Sequence, residues 1–128
     1  MGGTWYVDST DMASVMAAKA SVMTFLRFRG ANDAAYEDCS LALSELLGNA
    51  VRHAHPGQIE VKLDWTRDQP RLAVTNDGNA FPVTLERPSP DSESGRGLFI
   101  LAHVLEVPLV EGGNGRCTVS ISLPVSKA

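Results

Sequence analysis

Two cysteines in 128 residues, Cys39 and Cys117, stand far apart, with no Cys-x-x-Cys spacing and no His pair beside them. That scarcity excludes a disulfide framework and a cysteine-based zinc site, and it leaves both residues to be read as small apolar core groups. Long hydrophobic runs are missing as well. Nothing approaches the ~18 consecutive apolar residues of a membrane span, and the opening MGGTWYVDSTD lacks the basic-then-apolar order of a signal peptide. Gly2 raises the question of myristoylation, but Tyr6 stands where that motif wants Ser or Thr. A cytoplasmic chain without membrane contact is the expectation. Positive charge is also short: 11 Lys plus Arg against 15 Asp plus Glu leave a formal charge of −4. General affinity for nucleic acid needs clustered positive charge, so direct nucleic-acid binding is not expected. A mildly acidic chain can still hold a nucleotide, provided that backbone amides, a few cations or a metal ion meet the phosphates.

What is present fits one globular domain over residues 1–128, with 44% hydrophobic and 20% charged residues. A short apolar patch, Trp5-Tyr6-Val7, precedes Asp8, Ser9, Thr10 and Asp11, any of which can cap a helix. From Met12, the residues Met12, Val15, Met16, Val22, Met23 and Leu26 recur at three- and four-residue intervals, which predicts an amphipathic helix ending near Gly30 with its methionines in the core. Asn32 or Asp33 can cap a second helix that runs to about His55 and ends at Pro56-Gly57. On it Tyr36, Leu43, Leu47, Ala50 and Ala54 form an apolar stripe. Glu45, Asn49 and His53, at i, i+4 and i+8, share a neighbouring face.

Ile59, Val61, Leu63 and Trp65 alternate with Glu60, Lys62 and Asp64, the pattern of a strand with one wet face. Leu72 to Thr75 is a second strand, paired with the first as an antiparallel hairpin and ending in Asn76-Asp77-Gly78. Alternation puts Asn76 on the face of Leu72 and Val74, and Asp77 on the other. The Pro- and Ser-rich stretch from Gly78 to Gly95 is too long for an ordinary connection and reads either as a functional lid or as a disordered loop. Gly95-Arg96-Gly97 then opens a short helix from Leu98 to Leu105. Val107–Val110 and Cys117–Leu123 form a second strand pair about the turn Gly112-Gly113-Asn114-Gly115. Helices and antiparallel hairpins, rather than repeated βαβ units, predict an α+β, two-layer sandwich with a mixed, mostly antiparallel sheet covered on one face by helices.

The order of these features carries more than any one of them. The stretch Leu43-Ser-Glu-Leu-Leu-Gly-Asn-Ala-Val-Arg-His-Ala54 resembles the N box of the histidine-kinase-like ATPase superfamily, the group with the Bergerat ATP-binding fold. Leu72-Ala-Val-Thr-Asn-Asp-Gly-Asn-Ala-Phe-Pro82 is similar to its first Gly box, Gly95-Arg-Gly-Leu98 to its second, and Gly115-Arg-Cys-Thr-Val-Ser-Ile-Ser-Leu123 to its closing strand. Within that superfamily the chain looks most like the anti-sigma-factor serine kinases of bacterial partner-switching systems. The resemblance implies an ATP-dependent serine/threonine protein kinase with Mg²⁺ as cofactor and a STAS-domain anti-sigma-factor antagonist as substrate. It also implies a sigma factor as a further partner, and homodimers. Alternatives are a non-catalytic nucleotide-binding adaptor or anti-sigma module, and a stand-alone histidine kinase catalytic domain.

Residue by residue, the resemblance implies that Glu45 orients or deprotonates the attacking hydroxyl and that Asn49 ligates Mg²⁺ over the triphosphate. A hard Mg²⁺ that keeps most of its waters needs only one or two protein oxygens beside those of the phosphates. His53 is placed to approach phosphate or ribose, or to cap its helix. Gly95 and Gly97, with Arg96 and Leu98, would bring backbone N–H groups to the phosphates at a helix N-terminus. Asn76, Gly78 and Thr118 would line the base. Two departures stand out. Asn76 occupies the place where the superfamily usually has Asp to accept from the adenine amino group. Loss of that charge costs about 1 kcal/mol, and an amide can also turn to donate, so adenine selectivity is expected to be less secure. Ala80 stands where the pattern often has Gly and stiffens the base of the lid.

Overall fold

In the computed structural model of the chain, the described residues are 2–53, 57–65, 69–78, 100–102 and 105–125. They form β1 (Gly2–Asp8), α1 (Met12–Phe28), α2 (Asp33–His53), β2 (Gln58–Asp64), β3 (Arg71–Asp77), β4 (Leu109–Gly113) and β5 (Arg116–Ser122). Residues 100–102 are helical, within the span predicted for a short helix.

The two helices begin and end on local chemistry. Asp11 caps α1, its carboxylate accepting from the Ala13 N–H at 3.0 Å. At the other end Gly30 takes φ 109°, which turns its N–H to the Arg27 carbonyl and that of Ala31 to the Leu26 carbonyl. These two bonds make a Schellman close, and the left-handed φ is what calls for glycine there. Asn32 then caps α2 through Oδ1 to the Ala35 N–H at 2.9 Å. The inward line of α1 is Val15, Ala18, Val22 and Leu26, with Met23 also buried. Met12 and Met16, expected in the core, sit to the side of that line and are 61% and 66% exposed. On α2, Leu43, Leu47 and Ala50 are buried as expected, while Ala54 lies outside the described residues.

The five strands pair in the order β1-β2-β3-β5-β4, and each of the described pairings is antiparallel. The strand β1 was not apparent from Trp5-Tyr6-Val7 alone, because it opens with two glycines of poor strand propensity. Both glycines have a packing reason: a Cβ on Gly2 would run into the Leu63 carbonyl oxygen. A Cβ on Gly3 would stand 2.7 Å from the Trp5 indole, which lies back along the strand. Val7, Ile59, Val61, Leu63, Leu72, Val74, Val119 and Ile121 are buried in one core with α1 and α2. The result is the two-layer α+β sandwich. Its opposite face is polar, with Glu60, Thr75, Thr118 and Glu111 in one cross-strand row. No helix among the described residues is long and apolar enough to cross a membrane.

Candidate functional site

The site begins on α2. Asn49 falls among Leu46, Leu47 and Ala50 and is 2% exposed. Its Nδ2 is buried and has no hydrogen-bond partner among the described residues. A buried amide without a partner is costly, so a polar group placed this way points to a ligand that completes it. Glu45, one turn earlier, is half-buried, on the side of the helix next to Asn49. His53 is the last residue of α2, and its side chain lies outside the described residues.

Across from α2, strand β3 carries Leu72, Val74 and Asn76 on the helix-facing side of the sheet. Asn76 is 3% exposed, and its Nδ2 donates to the Asp77 carbonyl at 3.0 Å. Alternation turns Asp77 to the open face as expected, where its carboxylate meets Arg116 Nε at 3.4 Å. Gly78 is buried with φ 153°, a value that disfavours any residue with a Cβ, and its N–H donates to the Gly115 carbonyl at 2.7 Å. The end of β3 is thereby tied to the β4–β5 turn. That turn holds Asn114 at φ 54° and Gly115 at φ 75°, as in a type I′ hairpin. The second Gly-x-Gly is therefore a turn, as the sequence suggested.

Thr118 is the residue that the structure sets apart. It pairs with Thr75, its hydroxyl 2.8 Å from that of Thr75, on the face opposite Asn49 and Asn76. The sequence reading puts Thr118 near the base, and strand alternation turns its side chain to the open face of the sheet. The residue opposite Asn76 is Cys117, 1% exposed, whose thiol pKa is pushed up by burial. The signal was available in the sequence: Cys117 is in phase with Val119 and Ile121, the buried apolar residues of β5, and with Leu123 just beyond it. Gly95, Arg96, Gly97, Leu98 and Ala80 lie outside the described residues.

Asn49 on α2 and Asn76, Gly78 and Cys117 on the sheet are each buried, Asn76 and Cys117 directly opposite each other, and α2 packs against β3 and β5. Among the described residues no group of three or more His, Cys, Asp or Glu is placed to hold a metal ion. A cation here would rest on the Asn49 amide oxygen and on oxygens of the ligand, which fits Mg²⁺ on a phosphate chain. A two-layer sandwich that buries amides between its long helix and the end of a central strand is a scaffold for a polar ligand. The chain belongs to the histidine kinase-like ATPase domain family, whose sequence model matches residues 9–122.

Among solved structures, the chain is similar to the RsbU and RsbW domains of Rv1364c from Mycobacterium tuberculosis. The two share 19% identity with a TM-score of 0.70, over 98% of this chain and 33% of that one. This chain therefore spans about a third of the length of that relative. It is also similar to the Acinetobacter baumannii histidine kinase AdeS, at 12% identity and a TM-score of 0.52, over 98% of this chain and 68% of that one. At these identities the likeness concerns the fold. A search of curated proteins gave no match.

Proposed function

We propose that this chain is an ATP-dependent serine/threonine protein kinase of the anti-sigma-factor type, which restrains a sigma factor and phosphorylates a STAS-domain antagonist. The observation that carries the reading is the buried Asn49 amide, its Nδ2 without a hydrogen-bond partner among the described residues, one helical turn from Glu45. Family membership supplies the nucleotide, and the likeness to a structure containing an RsbW domain supports the partner-switching setting.

In this reading the Asn49 amide oxygen holds Mg²⁺ beside the phosphates, and Asn76 with Gly78 meets the base. Bound Mg²⁺ supplies charge neutralisation along the triphosphate. Glu45 accepts the proton of the partner's serine or threonine hydroxyl. That oxygen bonds to the γ-phosphorus as the bond from phosphorus to the bridging oxygen of ADP breaks. The half-buried position of Glu45 suits this role, because a protein substrate must reach it from outside.

The test uses the full chain, radiolabelled ATP with Mg²⁺, and the cognate STAS-type protein. Wild type transfers phosphate to Ser or Thr, and Glu45→Ala abolishes transfer while ADP affinity stays within about threefold. Nucleotide binding without transfer by wild type would overturn the kinase assignment in favour of a nucleotide-binding adaptor. Acid-labile phosphate on the product would assign a histidine kinase module instead.

A further inference from the structure

β1 is an outer strand of the sheet, paired with β2 on one side, residue for residue from Gly2 to Asp8 and without a bulge. Antiparallel pairing turns the main-chain groups of alternate residues toward the neighbouring strand and away from it. The Ser9 N–H donates to the Gly57 carbonyl at 3.0 Å, which fixes the phase. Gly3, Trp5 and Val7 bond to β2, and Thr4, Tyr6 and Asp8 turn their N–H and carbonyl groups to the free edge. At Asp8 the outward N–H is closed off by the Ser14 hydroxyl at 3.1 Å. Among the described residues nothing is bonded to the outward main-chain groups of Thr4 and Tyr6, and both residues are exposed. Edges of this kind are usually blunted by Lys, Pro or a bulge, and Gly2–Asp8 has none of these.

Aromatic surface flanks the same edge. Tyr6, on the open face, is 60% exposed. On the helical side Trp5 meets Phe25 of α1, with ring centres 6.0 Å apart. The helix α1 packs on β1, while α2 packs on β3 and β5. Lys19 bonds to Ser44 of α2, and Phe28 follows nine residues later, half a turn round the helix. Phe28 therefore lies on the flank of α1 away from α2, the flank above the free edge, and it is 84% exposed.

We propose that β1 pairs with β1 of a second copy, antiparallel about a two-fold axis at Trp5, so that the two sheets join edge to edge. The strand is self-complementary in that register. Thr4 and Tyr6 of one chain stand opposite Tyr6 and Thr4 of the other, and each of these pairs exchanges both main-chain bonds. Trp5 lies beside its own copy at the axis. Because that axis is perpendicular to the sheet, both helical layers stay on one side, and the flanks of α1 that carry Phe28 meet above the joined strands. Asp8, the one charged residue of β1, falls opposite Gly2 and not opposite another charge. The other outer strand lacks this fit: Glu111 is the central residue of β4 and would oppose its own copy. The pairing does not depend on the kinase reading, and the family resemblance implies homodimers without naming a surface.

The test is sedimentation equilibrium of the full chain for wild type, Tyr6→Pro, Phe28→Asp and Glu111→Lys, with circular dichroism to confirm the fold of each. Wild type is expected to be dimeric at about 100 µM. Tyr6→Pro removes one outward N–H and Phe28→Asp puts charge on the covered flank, and each should weaken the dimer by about tenfold or more, while Glu111→Lys stays within about twofold. A second readout needs wild type alone. The Thr4 and Tyr6 amides should exchange with solvent slowly in concentrated protein and rapidly on dilution, and those of Trp5 and Val7 slowly at both concentrations. A wild-type monomer at about 100 µM, a dimer that Tyr6→Pro and Phe28→Asp both leave intact, or rapid exchange of Thr4 and Tyr6 within the dimer overturns the proposal. Protection of these two amides only after a different protein is added overturns it as well, and gives the edge to that protein.

Discussion

Thr75 Oγ1 and Thr118 Oγ1 lie 2.8 Å apart on the open face of the sheet, while their neighbours Asn76 and Cys117 face each other on the helical side. One step along each strand therefore separates a pair on the open face from a pair buried on the helical side. Thr118→Val is expected to leave ADP affinity within twofold of wild type. Loss of the hydroxyl bond should lower stability by about 0.5–1.5 kcal/mol in urea unfolding. A large loss of ADP affinity in Thr118→Val, with stability unchanged, would return Thr118 to the site.

Asn49 gives a prediction of opposite sign for stability and function. Its Nδ2, without a partner among the described residues, burdens the free chain by about 1–3 kcal/mol, and Leu has the same branched skeleton, somewhat larger, without the polar atoms. Asn49→Leu should raise the melting temperature of the free protein by roughly 3–6 °C, the shift that about 1 kcal/mol produces in a domain of this size. It should also abolish the additional rise caused by ATP and Mg²⁺. If Asn49→Leu melts earlier than wild type and still responds to ATP, the amide is a satisfied part of the core.

Much of this arrangement is legible in the amino-acid sequence, for identifiable reasons. The burial of Leu43, Leu47 and Ala50 followed from helical spacing, and the split between Asn76 and Asp77 followed from strand alternation. Periodicity failed where neighbours decide. Met12 and Met16 keep helical spacing but fall beside the inward line of α1, which only the packed sheet defines. The strand β1 depends on pairing with β2 along its whole length, and Gly2-Gly3 hides it from local propensity. Thr118 is out of phase with the buried residues Cys117, Val119 and Ile121, so alternation alone turns it to the open face. The bond from Asn76 Nδ2 to the Asp77 carbonyl depends on side-chain placement, which no periodicity encodes.

The corner between the helices separates a packing role from a charge role. Arg27 donates to the Ala31 carbonyl at 3.1 Å, meets Asp33 at 2.9 Å, and lies 4.3 Å from the centre of the Tyr36 ring. The Asp33 side chain is 98% exposed, so its ion pair contributes little, about 0–1 kcal/mol including its place at the start of α2. Arg27→Ala removes the carbonyl bond and the ring contact and should cost about 1–2 kcal/mol. In urea unfolding the cost of Asp33→Asn should fade at 1 M salt, where exposed charges are screened, and that of Arg27→Ala should persist. Equal salt sensitivity of the two variants would mean that the ion pair holds the corner.

The turn from β1 into α1 gives acid stability a contribution from Asp8. Asp8 accepts from the Thr10 hydroxyl at 2.7 Å and from the Thr10 N–H at 2.9 Å, and these bonds, the hydroxyl first, hold its pKa below the ordinary 3.8. The folded state therefore binds a proton at Asp8 less readily than the unfolded chain does. The contribution is fully present above about pH 5 and is lost as pH falls through 3.8 toward the lowered folded value. Thr10→Ala removes the larger cause and keeps the backbone bond. The difference in urea midpoint between wild type and Thr10→Ala should be constant from pH 7 to about pH 5 and shrink below pH 3.8. A difference that stays constant down to pH 2 would mean that the threonine acts through the backbone of the turn. In that case the Ser9 and Gly57 bonds, 3.0 Å in each direction, hold this corner without help from the charge of Asp8.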